Sequence, residues 1–521
     1  MREKAIVDPP ANALSPIDHY TGLLPRQEIT HRKFLQFVIG ENRVYRWIMI
    51  LLIYGQFIIF KLCYPYPDFF SDSYSYIEAA YRHLNANIWP IGYSKFLWLF
   101  HYITYSALAL NFFQYTIIIL AGLYFYKTIV YFYPTSKRTR AVLAIFFFFN
   151  PLNLYLANYI ASDGLFVALS LIWLAELLWI LNRPALHHTI ILSFVFLIAF
   201  TFRYNALFYP IITALVFLLS KQNTWNKITG IILGPLLILP VIVIVSTAVK
   251  NMSGTAQFPP ILGGWQWGNN ALYFREYVDE DTLHFPTPQM AELDQIARVY
   301  YRTVPPHKRE LSSYVGNFFI KQWDAPLKIY MMKHYPDPDV SSWAKAAPLF
   351  GEYGLYIIKR HPVEFALHYI SINTRNYFFP PMEKLELYNL GGDEMWPIAA
   401  WWFHYPSTRM TVISKTLQGY ILLMLPFIFL LVNIYGIWGL IYYIRIKGFK
   451  KTSRVFNLTI MLLAAVLILN FSFSVFANII VMRYQIFPLI TGLIFVLLLS
   501  DYLELSYRSK VTNKNLELAT L

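Results

Sequence analysis

Long apolar runs alternate with polar stretches along the chain, and most runs are close to the length of a membrane-spanning helix. About 20 apolar residues in a helix cross the roughly 30 Å hydrocarbon core of a bilayer. Because lipid offers the backbone no hydrogen-bond partners, spanning segments of this kind are helical. The pattern predicts an all-α polytopic membrane protein with ten spans, near 45–63, 110–133, 139–156, 161–182, 187–202, 205–221, 228–250, 417–444, 455–477 and 484–503.

Two polar regions between the spans are long enough to carry structure of their own. The stretch 94–133 could hold two spans or one; two would leave the basic loop 134–140 outside, against the usual inward bias of Lys and Arg. We therefore predict one span there, with 94–109 as an interfacial helix within a first outer loop, 64–109. The region 251–416 is expected to form a mostly helical outer domain.

Basic residues between the spans set the predicted orientation. With Arg183, Lys221, Lys227 and the run 445–454 inside, both termini lie in the cytosol. The predicted organisation then begins with a cytosolic tail at 1–44 and a catalytic module of about seven spans at 45–250. After the outer domain it continues with three spans within 417–503 and a cytosolic tail at 504–521.

Composition agrees with a membrane protein. The chain is 57% hydrophobic and only 14% charged, whereas soluble domains carry about 25% charged residues. A net charge of +14 suits cytosolic loops that meet anionic lipid, so it does not predict a nucleic-acid partner. A single cysteine, Cys63, excludes an intramolecular disulfide. With no signal peptide visible either, the bacterial inner membrane is the expected location, with a periplasmic site.

Four ionisable residues stand at the outer ends of predicted spans: Asp72, Asp163, Arg203 and Arg483. Ionisable groups at membrane depth are costly and usually functional or paired. Arginine binds phosphate through a planar fork of donors, and a carboxylate can take a proton from an attacking hydroxyl. Two structural alternatives stay open. Asp72 could cap the helix that follows it, and Asp163 could pair with Arg203 only to hold helices together.

The order of these features resembles the glycosyltransferase-C superfamily, in particular protein O-mannosyltransferases and the aminoarabinose transferase of lipid A. The similarity lies in the acidic residue of FFSDSYSYIEAA after the first span, the Pro-Ile-Gly-Tyr step at 90–93, and the Asn-Pro to Ser-Asp hairpin at 150–163. An Arg-Tyr-Asn turn at 203–205 and an Arg-Tyr pair at 483–484 complete it. It covers the first seven spans best and is weak over 251–416.

The resemblance implies an integral membrane glycosyltransferase that transfers a sugar, with inversion, from a polyprenyl-phosphate donor. The acceptor would be a hydroxyl on a lipid, glycan or protein at the outer face, and no metal or other cofactor is expected. Asp72 would act as the base, with Asp68 as its substitute, and Asp163 would fill the second acidic position. Arg203 and Arg483 would face the donor phosphate.

A transporter or flippase of a lipid-linked sugar is the alternative function. It would use the same basic residues to hold the phosphate but would perform no chemistry. Transporters often contain inverted repeats with broken helices in both halves, and none is visible in this sequence.

Overall fold

The computed structural model describes residues 31–40, 43–259, 261–279, 284–309, 318–337, 339–477 and 480–519. Over these ranges the chain is predominantly helical and forms no strand beyond two isolated β-bridges. The predicted all-α class is therefore confirmed for the part of the chain that is described. Most of the predicted N-terminal tail, 1–44, lies outside those ranges, although a short helix covers His31–Ile39.

Within the described residues, eight helices are long and apolar enough to cross a membrane: Arg43–Cys63, Ala107–Phe132, Lys137–Asn158, Asp163–Asn182, Thr224–Ser253, Leu417–Arg445, Arg454–Phe476 and Ile486–Arg508. Each matches a predicted span. The other two predicted spans, 187–202 and 205–221, match the shorter apolar helices Leu186–Phe202 and Tyr204–Leu219. Leu186–Phe202 has 17 residues, or about 26 Å, so whether it crosses completely stays a prediction.

Polar residues mark where these helices begin. The side chains of Ser106, Ser136 and Asn223 each accept a hydrogen bond from a backbone N–H in the following first turn. In Lys137–Asn158 the helix is interrupted at Asn150 and restarts at Pro151, whose missing N–H is no loss at a first helical position. The last helix continues to Ala519, through the predicted cytosolic tail.

Short helices and turns fill the end of the bundle where the charged residues lie, which we call the site end. The predicted first outer loop contains the helices Ser71–Tyr81 and Gly92–His101. Gly92–His101 has ten residues, about 15 Å, and is too short to cross a bilayer. The side chains of Phe69, Phe70 and Tyr76 from this loop are buried in the core of the bundle.

The region predicted as one outer domain divides into two packing units. The described residues between 261 and 370, which we call the lobe, pack around a second buried core. This core also contains Ala79, Ala86 and Ile91 of the first loop and Val245 and Val249 of the helix Thr224–Ser253. The helices of the lobe are Leu262–Arg275, Pro288–Thr303, Pro306–Arg309, Phe318–Lys321, Pro326–His334, Val340–Arg360 and Pro362–Phe365.

The remainder of that region packs against the membrane helices instead. Its helices Ser371–Phe378 and Pro397–Trp402 flank a mostly irregular segment, 379–396, which we call the strap. Buried strap residues such as Leu385, Tyr388 and Met395 belong to the core of the bundle. The strap therefore lies at the site end rather than in a separate domain.

Candidate functional site at one end of the bundle

Arg483 is the centre of a buried group of charged side chains. It lies in the short turn Met482–Tyr484 between the last two membrane helices and is 4% exposed. Its Nη1 donates to Asp163 Oδ2 at 3.1 Å, and its Nη2 donates to Asp72 Oδ2 at 3.2 Å. One guanidinium thus joins two carboxylates from distant parts of the chain.

The second arginine is held tightly by residues near Asp163. Arg203 follows the helix Leu186–Phe202 in extended conformation, and Asp163 begins its own helix. Arg203 Nη2 donates to Asp163 Oδ1 at 2.7 Å, and its Nε donates to Ser162 Oγ at 3.2 Å. The Tyr484 ring lies 4.2 Å from the Arg203 guanidinium and 4.5 Å from that of Arg483, so it makes a favourable contact with each cation.

Asp72 lies in the first turn of Ser71–Tyr81 but does not cap that helix. Ser73 supplies the local bond instead, accepting from the Phe70 N–H, and Asp72 points to cations. Lys384 Nζ is 2.9 Å from Asp72 Oδ2. Burial alone would raise the pKa of Asp72, but Lys384 and Arg483 outweigh it and hold the pKa well below its usual range. Asp72 is therefore an ionised, buried carboxylate.

The strap and the lobe each add charge to this group. Glu383 of the strap contacts Lys321 of the lobe and lies 3.7 Å from Arg483 Nε. We call the full set the charged cluster: Asp72, Asp163, Glu383, Lys321, Lys384, Arg203 and Arg483. It contains four basic side chains and three carboxylates. The more buried members balance, and the additional positive charge lies on Lys321, whose side chain is at the exposed edge of the cluster. An anionic ligand would be favoured at that edge.

Asp68 is close to the charged cluster but outside it. Its Oδ1 accepts the Asn389 N–H at 2.9 Å, and its Oδ2 is buried with no hydrogen-bond partner in the described residues. Burial raises the pKa of Asp68 well above its usual range, although the Asn389 N–H and Lys384 oppose this. A carboxyl whose ionisation burial disfavours, and which fixes the strap through the Asn389 N–H, is a different kind of group from the ionised Asp72.

The structure thus brings together Asp72, Asp163, Arg203 and Arg483, which the sequence analysis singled out, and sets Asp68 apart. The pairing of Asp163 with Arg203, considered above as a structural alternative, is present, but Arg483 and Asp72 extend it. Sequence reasoning missed Lys321, Glu383 and Lys384. The only signal for the last two was a charged pair directly after the apolar FFPPM at 378–382.

No protein-family model, curated protein or solved structure matches this chain.

Proposed function

We propose that the chain is an integral membrane glycosyltransferase. It transfers a sugar from a polyprenyl-phosphate donor to a hydroxyl of a lipid, glycan or protein, with the charged cluster facing the periplasm of a bacterium. The observation that carries this proposal is the presence, at one place, of a buried, ionised carboxylate and four basic side chains. The first is what an acceptor hydroxyl needs, and the second is what a departing phosphate needs.

The reaction is a displacement at the anomeric carbon of the sugar. The acceptor oxygen forms a bond to this carbon while the bond from the carbon to the phosphate oxygen breaks. The phosphate leaves with the electron pair, and Asp72 takes the hydroxyl proton. Attack opposite to the leaving group inverts the anomeric centre, and Lys384 and Arg483 neutralise the charge that develops on the phosphate.

The low pKa of Asp72 in the free protein has a direct consequence for this step. A carboxylate that is held by Lys384 and Arg483 is a weak base. When the donor phosphate draws these cations toward itself, the basicity of Asp72 increases. Donor binding therefore makes Asp72 a stronger base. As a result, proton transfer to Asp72 is favoured only when the donor is bound.

Donor turnover tests the proposal. The purified protein would be given a panel of labelled polyprenyl-phosphate sugars and a membrane extract as acceptor source, and release of free polyprenyl phosphate would be followed. We expect release from one donor, and a loss of about 10²- to 10⁴-fold in D72N because the base is removed. Full activity of D72N would show that Asp72 is not the base.

Reconstituted liposomes separate this function from that of a flippase, which remains the second candidate because it would need the same cations. A flippase moves the labelled lipid across the bilayer unchanged, whereas a transferase consumes it. Movement with no release from any donor would reject the transferase.

A further inference from the structure

The carboxylates of the charged cluster are not held equally tightly. Asp163 has arginine nitrogens at 2.7 and 3.1 Å, and Asp72 has cationic nitrogens at 2.9 and 3.2 Å. Glu383 lies 3.7 Å from Arg483 Nε, which is too far for a hydrogen bond. It accepts a hydrogen bond from one cation of the cluster, Lys321, whose side chain is 35% exposed, whereas Asp72 and Asp163 each pair with two more buried cations. Glu383 is therefore the carboxylate that is easiest to replace.

One buried donor of the charged cluster, Arg483 Nε, has no hydrogen-bond acceptor among the residues that the structure describes. Lys384 Nζ, beside it in the cluster, pairs with Asp72 alone among these residues, although an ammonium group carries three N–H donors. Arg483 is 4% exposed and Lys384 6%. Because buried polar groups are nearly always hydrogen-bonded, spare donor capacity on two buried cations at one place indicates a site for an anion.

The backbone at Glu383 is also unusual. Its φ is +50°, in the left-handed region that is unfavourable for a residue with a side chain. Asn389, Leu390 and Gly391 further along the strap have positive φ as well. Strain of this kind concentrates in segments that change conformation or hold a ligand.

We propose that the Glu383 carboxylate occupies the position of the donor phosphate in the free protein, and that the phosphate displaces it. The bound phosphate would contact Lys321, Lys384 and the Nε edge of Arg483. Arg203 would not take part, because Asp163, Ser162 and the Tyr484 ring already engage it. This subsite rests on the proposed function for the identity of its lipid-linked phosphate.

Displacement of Glu383 would connect the lobe to the chemistry. Lys321 joins the lobe to Glu383, so a phosphate that replaces Glu383 becomes the link between the lobe and the bundle. The same phosphate would share Lys384 and Arg483 with Asp72. One binding event would then free the strap carboxylate and raise the basicity of Asp72.

Equilibrium binding of a short-chain polyprenyl monophosphate, which carries no sugar, tests the subsite on the full-length protein in detergent. We expect E383Q to bind it about tenfold more tightly than the wild type, because the competing anion is gone. K321Q should bind it more weakly, because a phosphate ligand is lost. The matched control is E386Q, which removes an exposed carboxylate from the same strap and should bind like the wild type.

Unchanged or weaker binding by E383Q would overturn the proposal, and so would unchanged binding by K321Q or tighter binding by E386Q. Melting temperatures of all variants identify any that fails to fold. If E383Q fails to fold, the binding measured for K321Q still tests whether the phosphate contacts Lys321. The assay involves no turnover. Tighter binding by E383Q without sugar transfer from any donor would therefore reject the transferase and keep the subsite.

Discussion

Lys384 links the charge of the site to pH. Burial lowers its pKa to about 8, although Asp72 opposes this effect. The side chain is charged below that pH and neutral above it, so phosphate affinity is greatest on the acid side. We therefore expect the dissociation constant of polyprenyl monophosphate to rise between pH about 7 and about 9.5. Above the pKa of Lys384, the rise is at most about tenfold for each pH unit.

The matched variant for this experiment is K384M, which has no charge to lose. Its affinity should be lower than that of the wild type throughout, and its decline with pH should be shallower, because only Lys321, whose pKa burial lowers to about 7, still titrates in this range. A decline in K384M as steep as that of the wild type would assign the titration to another group.

Asp68 and Asp72 are four positions apart but should respond differently to the same substitution. Burial raises the pKa of Asp68, and its observed hydrogen bond needs only an oxygen that accepts the Asn389 N–H, which an amide also provides. We expect D68N to retain turnover within about threefold of the wild type, whereas D68A releases the strap and loses about tenfold or more. A D68N variant as inactive as D72N would contradict this assignment.

The positions of four of the site residues could be expected from the sequence, because the alternation of spans places the turns at Asp72, Asp163, Arg203 and Arg483 at one end of the bundle. Their contacts depend on side-chain geometry and could not be derived. Lys384 is 312 positions from Asp72 in the sequence. The strap that carries Lys384 is irregular, so no periodic pattern indicates that it packs beside Asp72.

At the scale of helices, the lobe depends on a very close approach between Leu262–Arg275 and Val340–Arg360. A Cβ at Gly264 would lie 1.9 Å from the Ala347 carbonyl oxygen, whereas a Cβ at Gly263 would meet nothing closer than 3.5 Å. G264A must push two backbones apart, and we expect it to destabilise the lobe by about 1–3 kcal/mol. G263A in the same turn should change stability by about 1 kcal/mol or less.

Thermal unfolding of the purified protein, followed by tryptophan fluorescence, measures this difference. Trp265 and Trp343 lie in the lobe, with ring centroids 4.2 Å apart, and report on its packing. Equal melting temperatures for G264A and G263A would show that the two helices can separate without cost.

Sequence reasoning succeeded with elements that have a simple physical signal. Runs of about 20 apolar residues identified the long helices, because lipid imposes that length. It could not divide 251–416, because the lobe and the strap have similar composition and differ only in the core on which they pack. The need for glycine at 264 and 354 could not be predicted from the sequence either, because it arises from close contact with the backbone of the facing helix.

At the scale of the whole molecule, the proposed reaction requires the charged cluster and the lobe to face away from the cytosol. This orientation rests on the basic residues at 183, 221, 227 and 445–454. Labelling of single cysteines tests it in a background with Cys63 replaced by Ser. Thr303 in the lobe and Lys450 in the basic run are both exposed and suit the purpose.

A membrane-impermeant maleimide should label T303C in spheroplasts, because the proposed orientation places the lobe on the periplasmic side. K450C should be labelled only after the membrane is permeabilised, which makes each variant the control for the other. The reverse pattern would place the charged cluster on the cytosolic face. The residues and their contacts would be the same, but the donor and the acceptor would then have to reach the charged cluster from the cytosolic side of the membrane.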